Sequence, residues 1–212
     1  MTVKCAAGEP ASTTTDSRGV FRFELSARGM PCMFEADAGG TMGKLHGFTF
    51  TAGRVNITPL SSLVVARALR ANPGTAFTNI SASALNSAND SLAAAITAVS
   101  PEANRLMGWT FSVNPMTGVF AIGDDDDRAL DALGASLVSA SSTLSTLTAA
   151  AAAAGTSLAA ALPAEEARGQ NAKPFTVNAA DFAATTFAAL PVATGDGVDV
   201  TATQRAAGRL AS

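Results

Sequence analysis

"RVNITPLSSLVVARAL", residues 54–69, is where this chain changes character. Before it lie short alternating segments and Gly-rich turns; after it come runs of Ala, Leu, Ser and Thr at helical spacing. The change falls on one step, Thr58-Pro59. A threonine hydroxyl can accept a backbone N–H of the first helical turn, and proline fits the first helical position because its missing N–H has no partner there anyway. Leu60, Leu63, Val64 and Ala68 then share one face. The stretch predicts a helix fused to the last strand without a linker, hence packed on the sheet. The chain reads as α+β: an antiparallel β-sandwich module over 1–58 and a mainly helical region over 59–212, a bundle packed against it.

Outward to the N-terminus, the strand candidates are "TVKC", "VFRFEL", "PCMFEAD", "LHGFTF" and "VNIT". "AAGEPASTTTDSRG" reads as a polar loop ending in Asp16-Ser17-Arg18-Gly19, residues that favour a hairpin turn. Phe21, Phe23 and Leu25 alternate with Val20, Arg22 and Glu24, the pattern of a strand with one buried face. Pro31 opens the next strand, where no ladder N–H is needed. "AGGTMGK" is a Gly-rich turn. About five short strands at this spacing imply a sandwich or half-sandwich.

Outward to the C-terminus, "RANPGTAFTN" breaks the first helix. Ser81 or Ser83 opens a second, with Leu85, Ala88, Leu92, Ile96 and Val99 on one stripe and Ser100-Pro101 as its end. An aromatic, turn-rich insert at 107–123 holds Trp109, Phe111 and Phe120. The longest helix is expected from about Asp125 to Ala154, on Leu130, Leu133, Leu137, Leu144 and Leu147. A last short helix, with Asn178 as cap and Phe182 and Phe187 as anchors, precedes an extended tail, "VDVTAT".

Of the 212 residues 48% are hydrophobic and 15% charged, a balance that suits a buried core and not a disordered tail. Net charge is -3, and the 14 basic residues are scattered singly, so no stripe exists to neutralise phosphates and nucleic acid is excluded as a partner. Residues 132–164 carry no charge, but small side chains, Gly155 and Pro163 make this a soluble helix packed closely, and no membrane-spanning segment is expected. Met1 runs into "TVKCAAG" without the charged and apolar regions of a signal peptide, so the chain is expected to be either a cytoplasmic protein or a mature form whose leader is absent.

Cys5 ends one expected strand and Cys32 lies in another. A disulfide between them would close a loop of about 27 residues and stabilise by about 3 kcal/mol. It would also place the protein in an oxidising, exported compartment. The other reading is two buried free thiols.

Little else in the chain suggests chemistry. His46, the sole histidine, lies on a strand, beside no cysteine and with no G-x-S-x-G in the chain. It reads as a half-buried residue satisfied by backbone, and it rules out multi-histidine metal sites. "AGGTMGKL" has Ala38 and Leu45 where a phosphate loop needs Gly and Ser or Thr. Asp124, Asp125, Asp126 and Asp127, with Asp131, form the densest charge. They could offer oxygens to Ca²⁺ as a weak cation site; they also suit a helix start, where carboxylates meet free N–H groups and the positive end of the dipole. "GDGVD" at 195–199 is a second, weaker cation candidate. No cofactor is expected beyond that weak calcium possibility. Sequons at Asn56, Asn79 and Asn89 matter only in a eukaryotic secretory route, and the Ala-rich, Lys-poor composition points instead to a high-GC bacterium.

Three pieces carry a resemblance: "TDSRGVF" from Thr15 to Phe21, the Pro31-Cys32 strand, and "NITPL" from Asn56 to Leu60; "NPMTGVF…DDDDRALDAL" adds a looser one. Together they resemble exported proteobacterial surface proteins and lipoproteins with a carboxypeptidase-regulatory-like (transthyretin-like) β-sandwich followed by a helical region. The resemblance covers 1–70 well and 105–135 loosely. It implies a non-catalytic module, since such sandwiches serve many contexts. Members usually begin one strand earlier, so this chain starts in the middle of the unit. A sandwich without its first strand has an open edge; that strand is either one removed with the leader, or one supplied by the tail or by a neighbouring copy.

The expected function is therefore a non-catalytic exported surface protein, extracellular or at the cell surface, a structural or binding module that self-assembles by strand addition into an oligomer or fibre. Its partner is itself or another surface component. The alternative is an accessory or enzymatic module on polysaccharide or cell wall, using carboxylates near Asp124–Asp131.

Overall fold

In the computed structural model Thr58 Oγ1 accepts from Ser61 N at 3.0 Å while Ser61 Oγ accepts from Thr58 N at 2.8 Å. This reciprocal box, with Pro59 in the first turn, starts helix α1, Pro59–Leu69, and Arg70 at φ 51° ends it. The structure describes residues 1–25, 29–107, 110–119, 121–153 and 157–161, all within one compact unit, Met1–Arg168. Expectations for Trp109, Phe120, the Asn178 helix, "GDGVD" and the "VDVTAT" tail lie outside the described residues.

Four strands form one antiparallel sheet: β1 (Thr2–Cys5), β2 (Ala11–Ser12), β3 (Cys32–Gly39) and β4 (Gly43–Thr49), in the order β2-β1-β3-β4. Short β2 sits inside the stretch expected to be plain loop and pairs Thr2 with Ser12. Between β3 and β4 the turn Gly40–Met42 sets the register, with Glu35 opposite His46 and Met33 opposite Phe48.

Alternation along the strands gives the sheet two faces, and both are covered. Met33 and Phe48 join a core with Leu60, Leu63, Val64 and the later helices. Val3, Cys32 and Phe34 form a second cluster, against which Phe21, Phe23, Leu25, Val55 and Ile57 pack. The expected strand 20–25 is thus corrected in kind. Its aromatics lie over the sheet, with Phe21 and Phe23 ring centroids 6.1 and 5.8 Å from Phe34. They carry no strand pairing. The central strands have no free side, since β1 is flanked by β2 and β3, and β3 by β1 and β4, and the apolar side chains of the segment pack on the Val3–Cys32–Phe34 face instead. "VNIT" is also no strand; Asn56 N instead donates to Met116 O at 2.8 Å.

The helical region departs from expectation in three places. "RANPGTAFTN" holds its own helix, α2 (Pro73–Thr78), because Asn72 Oδ1 accepts from Gly74 N and Thr75 N. After α3 (Ala82–Asp90), α4 (Leu92–Met107) runs straight through Pro101. An interior proline costs about 3 kcal/mol, but buried Val99 and Ala103 on either side hold the turn in place. The long expected helix is two, α5 (Asp125–Ser139) and α6 (Leu144–Ala152). They are split at Ser141 (φ 49°), and there Leu144 N donates to Thr41 O of the β3–β4 turn. A short 3₁₀ turn, Ala159–Ala161, follows. Among the described residues no helix is long and apolar enough to cross a membrane.

Candidate functional site

Three groups of residues were singled out by their chemistry, and the structure places each in a different part of the unit. Cys5 and Cys32 stand directly opposite each other on β1 and β3. Their sulfurs are bonded, with Cα atoms 3.9 Å apart. The bond ties the two central strands at the end where the chain enters β3. Of the two readings open from the sequence, the disulfide is the one formed.

The acidic run sits at the start of α5, and its four carboxylates turn to four separate tasks. Asp124 is the N-cap, accepting from Asp127 N at 2.7 Å and Ala121 N at 2.8 Å. Those backbone donors hold its carboxyl below the usual carboxylate range. Asp125 pairs with Arg128 at 3.3 Å in solvent. Asp126 is buried and accepts from both the backbone N and the hydroxyl of Ser112, at 3.0 and 2.7 Å. Asp127 accepts from Gly123 N at 2.8 Å. The run starts a helix and ties the 110–119 segment to it. Among the described residues no group of three His, Cys, Asp or Glu side chains is placed to hold a metal ion.

The third group was only half visible. His46 was expected to be a half-buried strand residue satisfied by backbone. It is instead 4% exposed, and its ring Nε2 lies 3.2 Å from Glu35 Oε2. With a carboxylate as acceptor, the ring donates from Nε2. Glu35 Oε1 meets Lys44 Nζ at 2.7 Å, which raises the lysine's pKa. Burial pushes the His46 pKa below its ordinary 6.5 in spite of the nearby carboxylate. The histidine's backbone is held equally firmly: His46 N donates to Ser62 Oγ at 2.8 Å, and Ser61 Oγ lies 2.9 Å from His46 O as its donor. The first turn of α1 therefore occupies the outward edge of β4 at this residue. On the other side, the Phe77 ring of α2 lies 6.2 Å from the imidazole, and Lys4 Nζ sits 4.9 Å over that ring.

Sequence reading missed Glu35, Ser61 and Ser62. A signal for Glu35 existed: each β3–β4 pair from Cys32–Thr49 to Asp37–Lys44 is equidistant from the Gly40–Thr41 turn, so locating the hairpin puts Glu35 across from His46.

The arrangement couples sheet to helices, and among the described residues the groups at the imidazole are Glu35, Gly74 and Phe77. A shallow recess of about 240 Å³ between α1, α2 and α3 is lined by Leu69, Ala76 and Leu85 among others and by no titratable side chain. No protein-family model, curated protein or solved structure matches the chain.

Proposed function

We propose that this chain is a non-catalytic, exported bacterial surface protein that acts through structural or binding contacts. The observation that carries the proposal is the Cys5–Cys32 disulfide across the two central strands, because such bonds form and persist in oxidising compartments. The three partner-filled groups above add support: each carboxylate in them is committed to a cap, a tether or an ion pair. In this reading the sheet and the overlying 20–25 segment belong to a carboxypeptidase-regulatory-like sandwich with a helical bundle packed on it.

Self-assembly by strand addition belongs to the same proposal, and the two edges of the sheet differ in their room for it. On β4 the outward groups of His46 are taken by Ser61 and Ser62. On the other side β2 is two exposed residues long. Addition therefore proceeds beside β2. Two measurements test the proposal. Fractionation of cells producing the protein, with protease added to the intact cells, is expected to find it outside the cytoplasm and cleavable; a purely cytoplasmic protein would overturn export. Light scattering at rising concentration is expected to show oligomers, and a strict monomer would remove the assembly while leaving a monomeric binder.

A further inference from the structure

His46 lies on the seam between sheet and helices, and its burial leaves no solvent to spread a new charge. We infer that the Glu35–His46 pair is an acid-sensitive latch: neutral His46 holds α1 and α2 on the sheet, and protonating it loosens them.

A count of charges carries this. The carboxylate of Glu35 already meets one cation, Lys44, at 2.7 Å through Oε1. Its other oxygen faces His46 Nε2 at 3.2 Å. A proton on the imidazole would set two cations against one anion. The remaining charged neighbours do not redress this. Lys4 on β1 adds a third cation above Phe77. Asp37, opposite Lys44 on β3, offsets part of the lysine's charge from an exposed position and does not act on the imidazole. The parts of α1 and α2 that meet His46 are Ser61, Ser62, Gly74 and Phe77, all uncharged. The His46 side chain is only 5% exposed, so water cannot screen the surplus charge in place. A Cβ on Gly74 would lie 3.9 Å from the imidazole; to hydrate the ring, α2 must lift. Lifting α2 also loads the serine contacts of α1, since both grip the same residue.

The sign follows from linkage. Burial sets the folded pKa below the ordinary 6.5 that the ring regains when released. Above pH 6.5 both states are neutral and the latch is fully closed. As pH falls below 6.5 the released state takes up protons first, and stability is lost until the folded value is passed.

Amide hydrogen exchange of the full chain at pH 7.5 and 5.0 tests this, read as protection factors for residues 59–78 so that intrinsic rates cancel. The expected result is a fall in protection on acidification at least about threefold greater in the wild type than in His46→Gln. Lys44→Gln, at an exposed position, is expected to shrink the wild-type fall, because Glu35 is then free to balance the imidazolium. Equal falls in wild type and His46→Gln would overturn the latch. So would a Lys44→Gln protein that responds like the wild type, and this comparison decides the matter if His46→Gln does not fold.

Discussion

The residue that joins the two halves of this molecule is a serine that no motif announces. Ser62 Oγ accepts the outward N–H of His46 and lies 2.9 Å from Thr58 O, on a buried side chain. Removing that hydroxyl leaves a buried strand N–H without a partner, a penalty of about 1–3 kcal/mol. Thr58→Ala removes only a cap bond at a half-buried site, about 1 kcal/mol. Chemical denaturation is therefore expected to rank Ser62→Ala as costlier than Thr58→Ala; the reverse order would show that the edge contact contributes little. The cap was plain in the sequence because capping is local. Ser62 was not, because its partner is 16 residues back, on a strand whose outward edge only the folded sheet defines.

At the scale of elements, the junction helix and the β3–β4 hairpin were legible, since both rest on neighbouring residues: Thr-Pro for the helix, a Gly-rich turn for the hairpin. The misreadings have a shared cause. Pro101 was expected to stop a helix and Ala140–Thr143 to continue one, yet the chain does the opposite in both. In each place long-range contacts outweigh local preference: Val99 and Ala103 bury around the proline, and Leu144 N reaches Thr41 O. Alternation at 20–25 was read correctly as one buried face and wrongly as a paired strand, since a buried face does not specify what it lies against. The acidic run belongs to this scale too. Asp124→Ala is expected to lower the melting temperature and Asp125→Ala, an exposed ion pair, to leave it within error. Asp124 is held below its usual value by backbone donors, so its contribution is present above the ordinary carboxylate range and is lost as pH falls through the depressed one. Calcium is expected to change none of these melting temperatures; a rise that Asp124→Ala abolishes would make the run a cation site.

For the whole molecule, the disulfide and the seam do different jobs. The bond joins β1 to β3 and closes a loop of 27 residues, worth about 3 kcal/mol in the chain-entropy account. The seam joins that sheet to the helices through His46, Ser61, Ser62 and Phe77. The oxidation state of one pair of sulfurs reports on the proposed place of work outside the cell. The decisive measurement is acid-quenched alkylation of the protein taken directly from the cells that make it, followed by mass determination before and after reduction. The account predicts no alkylated cysteine before reduction and two after it. Both cysteines alkylated before reduction would contradict the oxidising compartment and the surface role that rests on it.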